Sequence, residues 1–249
     1  MHLPAIFPYP LRRARRALRR LGVAGGERRN WDSVQQFVFI VTYGRSGSTL
    51  VQKLIGGLPG YHIRGENSDA LRGLVRSYQA ALKAKEEFGK QPTPPDTPWY
   101  GAYDIDPRSY GETLADQFVR QILMPPPDAR AVGFKEIRYF HEPEELETYI
   151  AFIRQFFAPA RFVFNTRNPE AVAGSSWWKE KPREEVVAQI ADWNRTIEAY
   201  VARHPQDCLL VHYDAFVADP ERLRPLFEFL GEPYDPDYVA QTLEKRLQH

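Results

Sequence analysis

A strand-forming run that stops at a glycine-containing loop and continues as a helical pattern is the strongest constraint on the fold of this chain. The β-forming run 37–41 comes first, and the loop follows at 42–49. Apolar residues then recur at helical spacing, at Leu50, Val51, Leu54, Ile55 and Leu58. In such a strand–loop–helix unit, the loop N–H groups and the partial positive charge of the helix N-terminus favour an anion. The segment therefore predicts a phosphate or sulfate site.

Residues 44–49 of this loop are all candidate anion ligands. Their two glycines allow close backbone approach, their three hydroxyl side chains can donate hydrogen bonds, and their arginine adds a planar cation at the mouth. In chain order these residues are Gly44, Arg45, Ser46, Gly47, Ser48 and Thr49. The alternative is a plain strand-to-helix turn in which glycine serves only the backbone geometry.

The loop is not the Walker A motif of nucleoside triphosphatases. That motif places four residues between its glycines and a Lys-Ser/Thr pair after the second. Here two residues separate Gly44 from Gly47, and no such pair follows. A nucleotide kinase or triphosphatase is therefore the disfavoured alternative, because the usual phosphate lysine and the magnesium-binding hydroxyl are missing.

The rest of the chain predicts strands that alternate with helices. Further strands are expected at 61–64, 131–136, 161–166 and 208–213, and helices at 68–88, 111–124, 144–157, 183–203, near 220–230 and at 236–248. This order predicts an α/β protein, a P-loop-like three-layer fold with a central parallel sheet flanked by helices. Residues 89–110 are rich in proline and contain Trp99, Tyr100 and Tyr103, which predicts an ordered insertion or a mobile lid. These three aromatic residues either stack on an acceptor or serve the structure.

Charge and composition divide the chain into a basic N-terminal extension, 1–33, and one domain, 34–249. The first 29 residues hold eight arginines and one acidic residue, whereas the whole chain has a net charge of +1. An amphipathic basic helix there would dock on an anionic membrane surface or a polyanionic substrate, or pack on the domain with a solvated basic face. Nucleic-acid binding is not expected, because no recognised motif accompanies the charge. The sequence does not predict the oligomeric state.

The expected compartment is the cytoplasm, with peripheral membrane contact as an option. No stretch reaches the ~20 apolar residues that a transmembrane helix needs. The single cysteine, Cys208, lies in an apolar run and is expected to be a reduced core residue. No Cys/His cluster has zinc spacing, so no metal is predicted.

A second informative segment follows the predicted strand 161–166. Arg167 comes directly after the strand, and Ser175 lies eight residues later, which we expect to be two turns into the next helix, opened by Pro169. Side chains so placed can converge on one phosphate group. The alternative is a strand-end arginine that makes only a helix-cap contact.

The two segments together resemble the nucleotide-binding motifs of sulfotransferases that use 3′-phosphoadenosine 5′-phosphosulfate (PAPS). The resemblance covers roughly residues 37–235 and implies that the loop binds the 5′-phosphosulfate, while Arg167 and Ser175 bind the 3′-phosphate. Asn168 replaces a frequent aspartate of the family. Lys179 would also reach the 3′-phosphate. Tyr213, in a third similar segment, falls where some members place an aromatic residue near the adenine.

The resemblance also implies catalytic roles. Arg45 would stabilise charge on the transferring group, and Lys135 would support the sulfuryl group or remain a solvated strand-end lysine. Glu66, in a Gly-Glu pair like that of the tyrosylprotein branch, would be the base. The other candidate bases are His62, Glu136 and His141. Glu136 would otherwise orient Lys135 or bind substrate. Of the adjacent Trp177 and Trp178, one is expected in the core and the other in the acceptor cleft.

The expected function is therefore sulfuryl transfer from PAPS to an acceptor hydroxyl, with release of adenosine 3′,5′-bisphosphate (PAP). The Arg-Ser-Gly sequence of the loop resembles that of carbohydrate and tyrosylprotein sulfotransferases, and a carbohydrate or glycoconjugate is the preferred acceptor. Tyrosine and small-molecule hydroxyls remain alternatives. A non-catalytic binder of anionic glycans or membranes is a further alternative, which the basic extension motivates.

Overall fold

The computed structural model describes residues 33–244, except for the side chains of His141 and Pro143. The arginine-rich segment, nearly all of the predicted extension 1–33 and the end of the predicted C-terminal helix lie outside the described residues. The candidate base His141 is likewise not described at its side chain. The two anchor segments and the remaining candidate residues fall within the described part of the chain.

A five-stranded parallel sheet forms the centre of the described chain, in the order β2-β3-β1-β4-β5. The strands are β1 (Gln36–Val41), β2 (Tyr61–Arg64), β3 (Ala131–Glu136), β4 (Ala160–Thr166) and β5 (Cys208–His212). Because β1 lies between β3 and β4, the chain changes direction across the sheet at β1. Ligands of open parallel sheets bind at the carboxyl ends of the strands beside such a point.

Nine α-helices connect and cover the strands in the described part of the chain. They are α1 (Ser48–Gly56), α2 (Ala70–Lys83), α3 (Pro107–Phe118), α4 (Leu146–Phe156), α5 (Pro169–Ala173), α6 (Arg183–Arg203), α7 (Tyr213–Ala218), α8 (Arg224–Leu230) and α9 (Pro236–Glu244). Single π-helical turns extend α2 to Phe88 and α3 to Leu123. None of these helices is both long and apolar enough to cross a bilayer.

Several predicted element boundaries differ from the structure by one or two residues, and two differences are larger or affect the cleft. The helix expected at 111–124 begins earlier, at Pro107, because the Asp106 side chain accepts a hydrogen bond from Ser109 N–H and proline fits the first helical position. The strand expected to end at 213 ends at His212, and Tyr213 opens α7. The second shift matters, because it turns the Tyr213 side chain toward the loop after β1.

Side chains of β1 alternate between two apolar cores, one on each face of the sheet. Phe37 and Phe39 belong to the core that α2, α3, α4, α5 and α6 cover. Val38 and Ile40 belong to the core under α1, α7, α8 and α9. The Phe39 ring packs edge-on against Phe134, with ring centroids 5.4 Å apart. Both faces are therefore buried, and the predicted three-layer α/β arrangement is confirmed.

Cys208 begins β5 and is buried in the first of these cores. Burial raises the pKa of its thiol to about 12, so the thiol is uncharged at neutral pH. The expectation of a buried core cysteine is confirmed.

Residues 89–106 lie at the far end of α2. This helix starts beside the carboxyl end of β3, where Asp69 N–H donates to the Glu136 carboxylate, and its 14 residues span about 21 Å. Beyond its end, the Trp99 ring stacks on Phe88 with centroids 3.7 Å apart, and the Lys85 ammonium lies 4.6 Å from the Tyr103 ring. Trp99 and Tyr103 thus pack on the end of α2.

Candidate active site

A cleft lies where the carboxyl ends of the strands meet, and each of the five strand ends contributes to it. Its volume of about 280 Å³ lies near the lower end of the roughly 300–1,000 Å³ of small-molecule sites. The cleft is lined by Gly44, Arg45, Gly47, Ser48, Thr49, Leu50, Lys53, Glu66, Lys135, Ile137, Arg167, Trp177 and Tyr213. The sequence analysis had selected nine of these residues as candidate ligands or catalytic groups, from segments up to 169 positions apart.

The loop between β1 and α1 has a backbone that glycine makes possible. Gly47 has φ +81°, and a Cβ atom built on it would lie 2.1 Å from the Tyr213 ring. Arg45 also has a positive φ, +69°, which is uncommon for a residue with a side chain. Such a conformation persists only where the surroundings hold it, and it occurs often at functional sites.

Hydrogen bonds to β4 hold this loop in place. The Thr42 hydroxyl donates to Asn165 O at 2.7 Å, and the Asn165 side-chain amide donates to Ser46 O at 2.9 Å. On the other side, the Trp178 indole N–H donates to Gly44 O at 3.2 Å. The loop is therefore fixed to the sheet before any ligand binds, which lowers the entropic cost of binding.

Substitution of Gly47 by alanine is expected to destabilise the protein by more than the ~1–2 kcal/mol that it costs to hold an alanine in the left-handed conformation. The loss is larger because the Tyr213 ring must also move. We expect PAP affinity to fall as well, since the loop shifts with the ring. Urea unfolding and calorimetric PAP titration would measure the two effects.

Gly101→Ala is the matched control for this substitution. Gly101 has φ +87° and open space around the position of a Cβ atom, and it lies outside the cleft. We expect it to show the backbone effect alone, with unchanged PAP affinity. Equal unfolding free energies and equal PAP affinities for the two variants would contradict the assigned loop geometry.

Ser46 occupies a different place from the one that the sequence suggests. Its residue is fully buried, and its hydroxyl lies 2.7 Å from the Thr42 hydroxyl oxygen, which accepts from it because the Thr42 proton is donated to Asn165 O. The side chain therefore helps to tie the loop to β1 and does not line the cleft. The expectation that the Ser46 hydroxyl faces an anion is corrected, whereas Ser48 and Thr49 do line the cleft.

The two adjacent tryptophans divide between core and cleft, as expected. Trp178 is buried in the core. Trp177 is 46% exposed and lines the cleft. The Arg45 guanidinium lies 5.7 Å from the Trp177 ring centroid, a cation–π distance. Trp177 thus forms a wall of the cleft beside Arg45.

Arg167, at the end of β4, lies directly against the loop. Its Nη1 donates to Arg45 O at 3.0 Å, and its guanidinium lies 4.6 Å from the Tyr213 ring centroid. Its buried Nε makes no hydrogen bond to the described residues, and lies 3.9 Å from the Asp214 carboxylate. Arg167 thus places a cation in the same cleft as the loop.

Tyr43 fixes the backbone at Arg167. Its hydroxyl accepts the Arg167 N–H at 2.9 Å and donates to Asn194 Oδ1 at 2.7 Å. Burial raises the pKa of Tyr43 above the ordinary tyrosine value, so this hydroxyl remains a neutral donor and acceptor. The end of β4 is thereby joined to the end of β1.

Ser175 and Lys179 are not among the residues that line the cleft. The prediction that Ser175 lies two turns into a helix is wrong, because α5 ends at Ala173 and Gly174 follows. The Ser175 hydroxyl donates to Val172 O at 2.7 Å. Lys179 lies in a 3₁₀ turn, Ser176–Glu180, and is exposed.

Glu66, which follows β2, and Lys135, in β3, form an ion pair inside the cleft. Lys135 Nζ donates to one Glu66 oxygen at 2.5 Å, and Arg138 Nη1 lies 3.4 Å from the other. The Lys135 side chain is 7% exposed, so it is not a solvated strand-end lysine. The Glu66 side chain remains 34% exposed and accessible to a substrate.

Two other candidate bases, His62 and Glu136, do not line the cleft. His62 Nε2 lies 3.0 Å from Leu123 O. Glu136 is fully buried, and its carboxylate accepts hydrogen bonds from three backbone N–H groups and from Arg138. Although burial alone would raise its pKa, these donors lower it below the ordinary glutamate value. Glu136 therefore has no free oxygen for a substrate, and that assignment is corrected.

Lys53 is a cleft residue that the sequence analysis missed. It lies four residues after Thr49 on α1, a spacing that places both side chains on one helix face, and this spacing was the available signal. Among the described residues that line the cleft, four are cationic and one is acidic. Such a cleft suits a ligand that carries several negative charges. No group of three or more His, Cys, Asp or Glu side chains suited to a metal occurs within residues 33–244.

Fold and cleft together define an α/β protein with a cationic cleft at the loop after its central strand. The sequence model of the sulfotransferase family matches residues 37–236, and the chain belongs to this family. Its general activity is the transfer of a sulfuryl group to a hydroxyl-bearing acceptor. The crystal structure of sulfotransferase STF9 from Mycobacterium avium is similar over 94% of this chain and 72% of that chain, at 13% identity and a TM-score of 0.43. No curated protein matches the chain significantly.

Proposed function

We propose that the protein transfers the sulfuryl group of PAPS to a hydroxyl of a carbohydrate or glycoconjugate and releases PAP. One observation carries the proposal: the loop after β1 and the Glu66–Lys135 ion pair line the same cleft. The loop suits an anionic donor, and the carboxylate suits an acceptor hydroxyl. Family membership favours this activity over the kinase alternative.

The donor end of the proposed site is the loop and its neighbours. The backbone N–H groups of the loop, with the hydroxyls of Ser48 and Thr49, would hold the 5′-phosphate at the N-terminus of α1. Arg167 would hold the 3′-phosphate through its guanidinium, as its position in the cleft beside the loop supports. Tyr213 lies between Gly47 and Arg167 and would provide a flat surface for the nucleotide.

The transfer end of the proposed site contains one carboxylate and two cations. Glu66 would accept the proton of the acceptor hydroxyl while the oxygen of that hydroxyl forms a bond to sulfur. The bond from sulfur to the phosphate oxygen breaks, and PAP leaves with the electron pair. Arg45 and Lys135 would compensate the charge that spreads over the sulfuryl and leaving oxygens. Bound PAPS supplies the activated sulfuryl group.

Trp177 supports an acceptor that contains a ring. Its exposed indole lines the cleft beside Arg45, and a flat amphipathic surface of this kind packs well against a sugar or an aromatic ring. The Arg-Ser-Gly sequence of the loop favours the carbohydrate. A tyrosine or small phenolic acceptor is the second candidate, since it would use the same surface.

Substitution of Arg167 by alanine is expected to weaken PAP binding by about 10- to 100-fold, because a charge-assisted hydrogen bond contributes ~1.5–3 kcal/mol. Arg167→Lys should lose less, since it keeps the charge without the planar geometry. Arg161→Ala is the control: it lies at the other end of β4, where its side chain donates to Gln206 O. Unchanged PAP affinity in Arg167→Ala, measured by calorimetry, would remove Arg167 from the donor site.

The proposed reaction is tested by incubation of the protein with sulfur-labelled PAPS and a panel of acceptors. The panel contains oligosaccharides, tyrosine peptides and simple phenols. We expect labelled product and PAP to form in equal amounts, with an oligosaccharide as the best acceptor. Product only from tyrosine or phenol would correct the acceptor, whereas PAP release no faster than in Arg45→Ala with every acceptor would contradict the proposed reaction.

A further inference from the structure

The segment that carries Glu66 is held by the buried carboxylate of Glu136. Two of the hydrogen bonds that Glu136 accepts come from this segment, from Asn67 N–H at 3.2 Å and from Asp69 N–H at 2.9 Å. A third donor, Ile137 N–H at 2.8 Å, comes from the residue after Glu136. The carboxylate therefore joins the end of β3 to the three residues that follow Glu66.

The held backbone has an unfavourable conformation. Ser68 and Asp69 have φ values of +57° and +60°, so two consecutive residues with side chains lie in the left-handed region. Such residues keep this conformation only where neighbouring groups over-determine it. The hydrogen bond from Asp69 N–H to Glu136 acts directly on the second of them.

A side-chain contact links Glu136 to Glu66 as well. Arg138 Nη1 donates to Glu136 at 2.7 Å and lies 3.4 Å from the second Glu66 oxygen. The hydrogen bond to Glu136 is the largest of the influences that raise the pKa of Arg138, and the guanidinium stays charged. Glu136 thus orients the cation that faces one Glu66 oxygen, while Lys135 binds the other.

We propose that Glu136 is a positioning residue that sets the place of the base Glu66 through the backbone of residues 67–69 and through Arg138. The inference rests on the proposed function, because it assumes that Glu66 accepts the proton of the acceptor. Glu136 itself has no exposed surface and does not line the cleft. Its effect on the reaction is therefore indirect and passes through Glu66.

The test is a double-mutant cycle between Glu136→Gln and Glu66→Gln. Glu136→Gln preserves the shape of the side chain, but replaces one acceptor oxygen by an amide that cannot accept these N–H groups. We expect kcat to fall by about 10- to 100-fold, as small displacements of a reacting group produce, with PAP affinity unchanged. In the Glu66→Gln background, the same substitution should leave the remaining kcat unchanged.

A merely structural role for Glu136 gives a different result. Equal kcat losses in the two backgrounds, a parallel loss of PAP affinity, or full activity of Glu136→Gln would each overturn the inference. If Glu136→Gln does not fold, as judged by circular dichroism, Arg138→Met takes its place in the cycle, since it removes only the side-chain route. That variant should likewise lower kcat in the wild-type background alone, and equal losses in both backgrounds would again overturn the inference.

Different experimental results would overturn the proposed function and the positioning role of Glu136. A wild-type protein that does not transfer the sulfuryl group of PAPS overturns both. An active wild type with a fully active Glu66→Gln variant overturns the assigned base and the positioning role together. An active wild type, a slow Glu66→Gln variant and additive effects of Glu136→Gln overturn the positioning role alone.

Discussion

Replacement of Arg45 by alanine is expected to lower kcat by about 10³-fold or more, the range for loss of a cation that stabilises transferring oxygens. Arg45 lies at the mouth of the loop, lines the cleft and is held beside the Trp177 ring. In the proposed reaction, its charge is needed most in the transition state, when charge spreads over the sulfuryl and leaving oxygens. The loss should therefore appear in kcat more than in PAP affinity.

Arg45→Lys is the matched control for this prediction. Both replacements keep a side chain at the positive φ of residue 45, so any effect of the backbone is common to them. Lysine restores the charge without the planar guanidinium and should recover part of the lost rate. Single-turnover kinetics with saturating PAPS would compare the three proteins. An alanine variant that retains more than about a tenth of the wild-type rate would show that Arg45 is not the main source of charge stabilisation.

Replacement of Glu66 by glutamine is expected to lower kcat by about 10²- to 10⁴-fold, as removal of a general base does. The amide keeps the size of the side chain and can still accept the hydrogen bond from Lys135, so the cleft should keep its shape. What the variant loses is the ability to accept the acceptor's proton. PAP affinity should therefore remain within about twofold, a difference of only ~0.4 kcal/mol.

Glu170→Gln serves as the control for the loss of a carboxylate. Glu170 is an exposed residue of α5 that pairs with Arg183 outside the cleft, and its substitution should leave both kcat and PAP affinity unchanged. Initial rates at saturating PAPS and acceptor give the comparison. A fully active Glu66→Gln protein would mean that another group, or water alone, accepts the proton.

The loop and the positions of the strands along the chain could be predicted because their signals are local. A β-forming run before glycine and a helical apolar pattern after it are fixed by neighbouring residues, and β1 and α1 lie where this pattern indicates. The strand ends at Lys135 and Arg167 were likewise recognisable. Because the sheet is parallel, their side chains had to meet at one edge.

The misassigned residues depend on contacts that a sequence pattern does not contain. Ser175 lies outside the expected helix because α5 has only five residues and is capped by Gly174. The spacing between Arg167 and Ser175 did not reveal this early helix end. The Ser46 hydroxyl turns inward because Thr42 binds it. Glu136 looked like a substrate ligand beside Lys135, but side chains alternate across a strand, and it meets the N–H groups of residues 67 and 69 on the other side.

A thermal-shift titration with PAP, with ATP plus Mg²⁺ for comparison, tests the central claim most directly, because it needs no knowledge of the acceptor. A ligand at ~100 times its Kd stabilises the folded state by about 2.7 kcal/mol, which raises the Tm of a protein of this size by several degrees. The account predicts this shift with PAP and a much smaller one in Arg167→Ala. A shift with ATP and Mg²⁺ but none with PAP would contradict it and favour a nucleotide kinase.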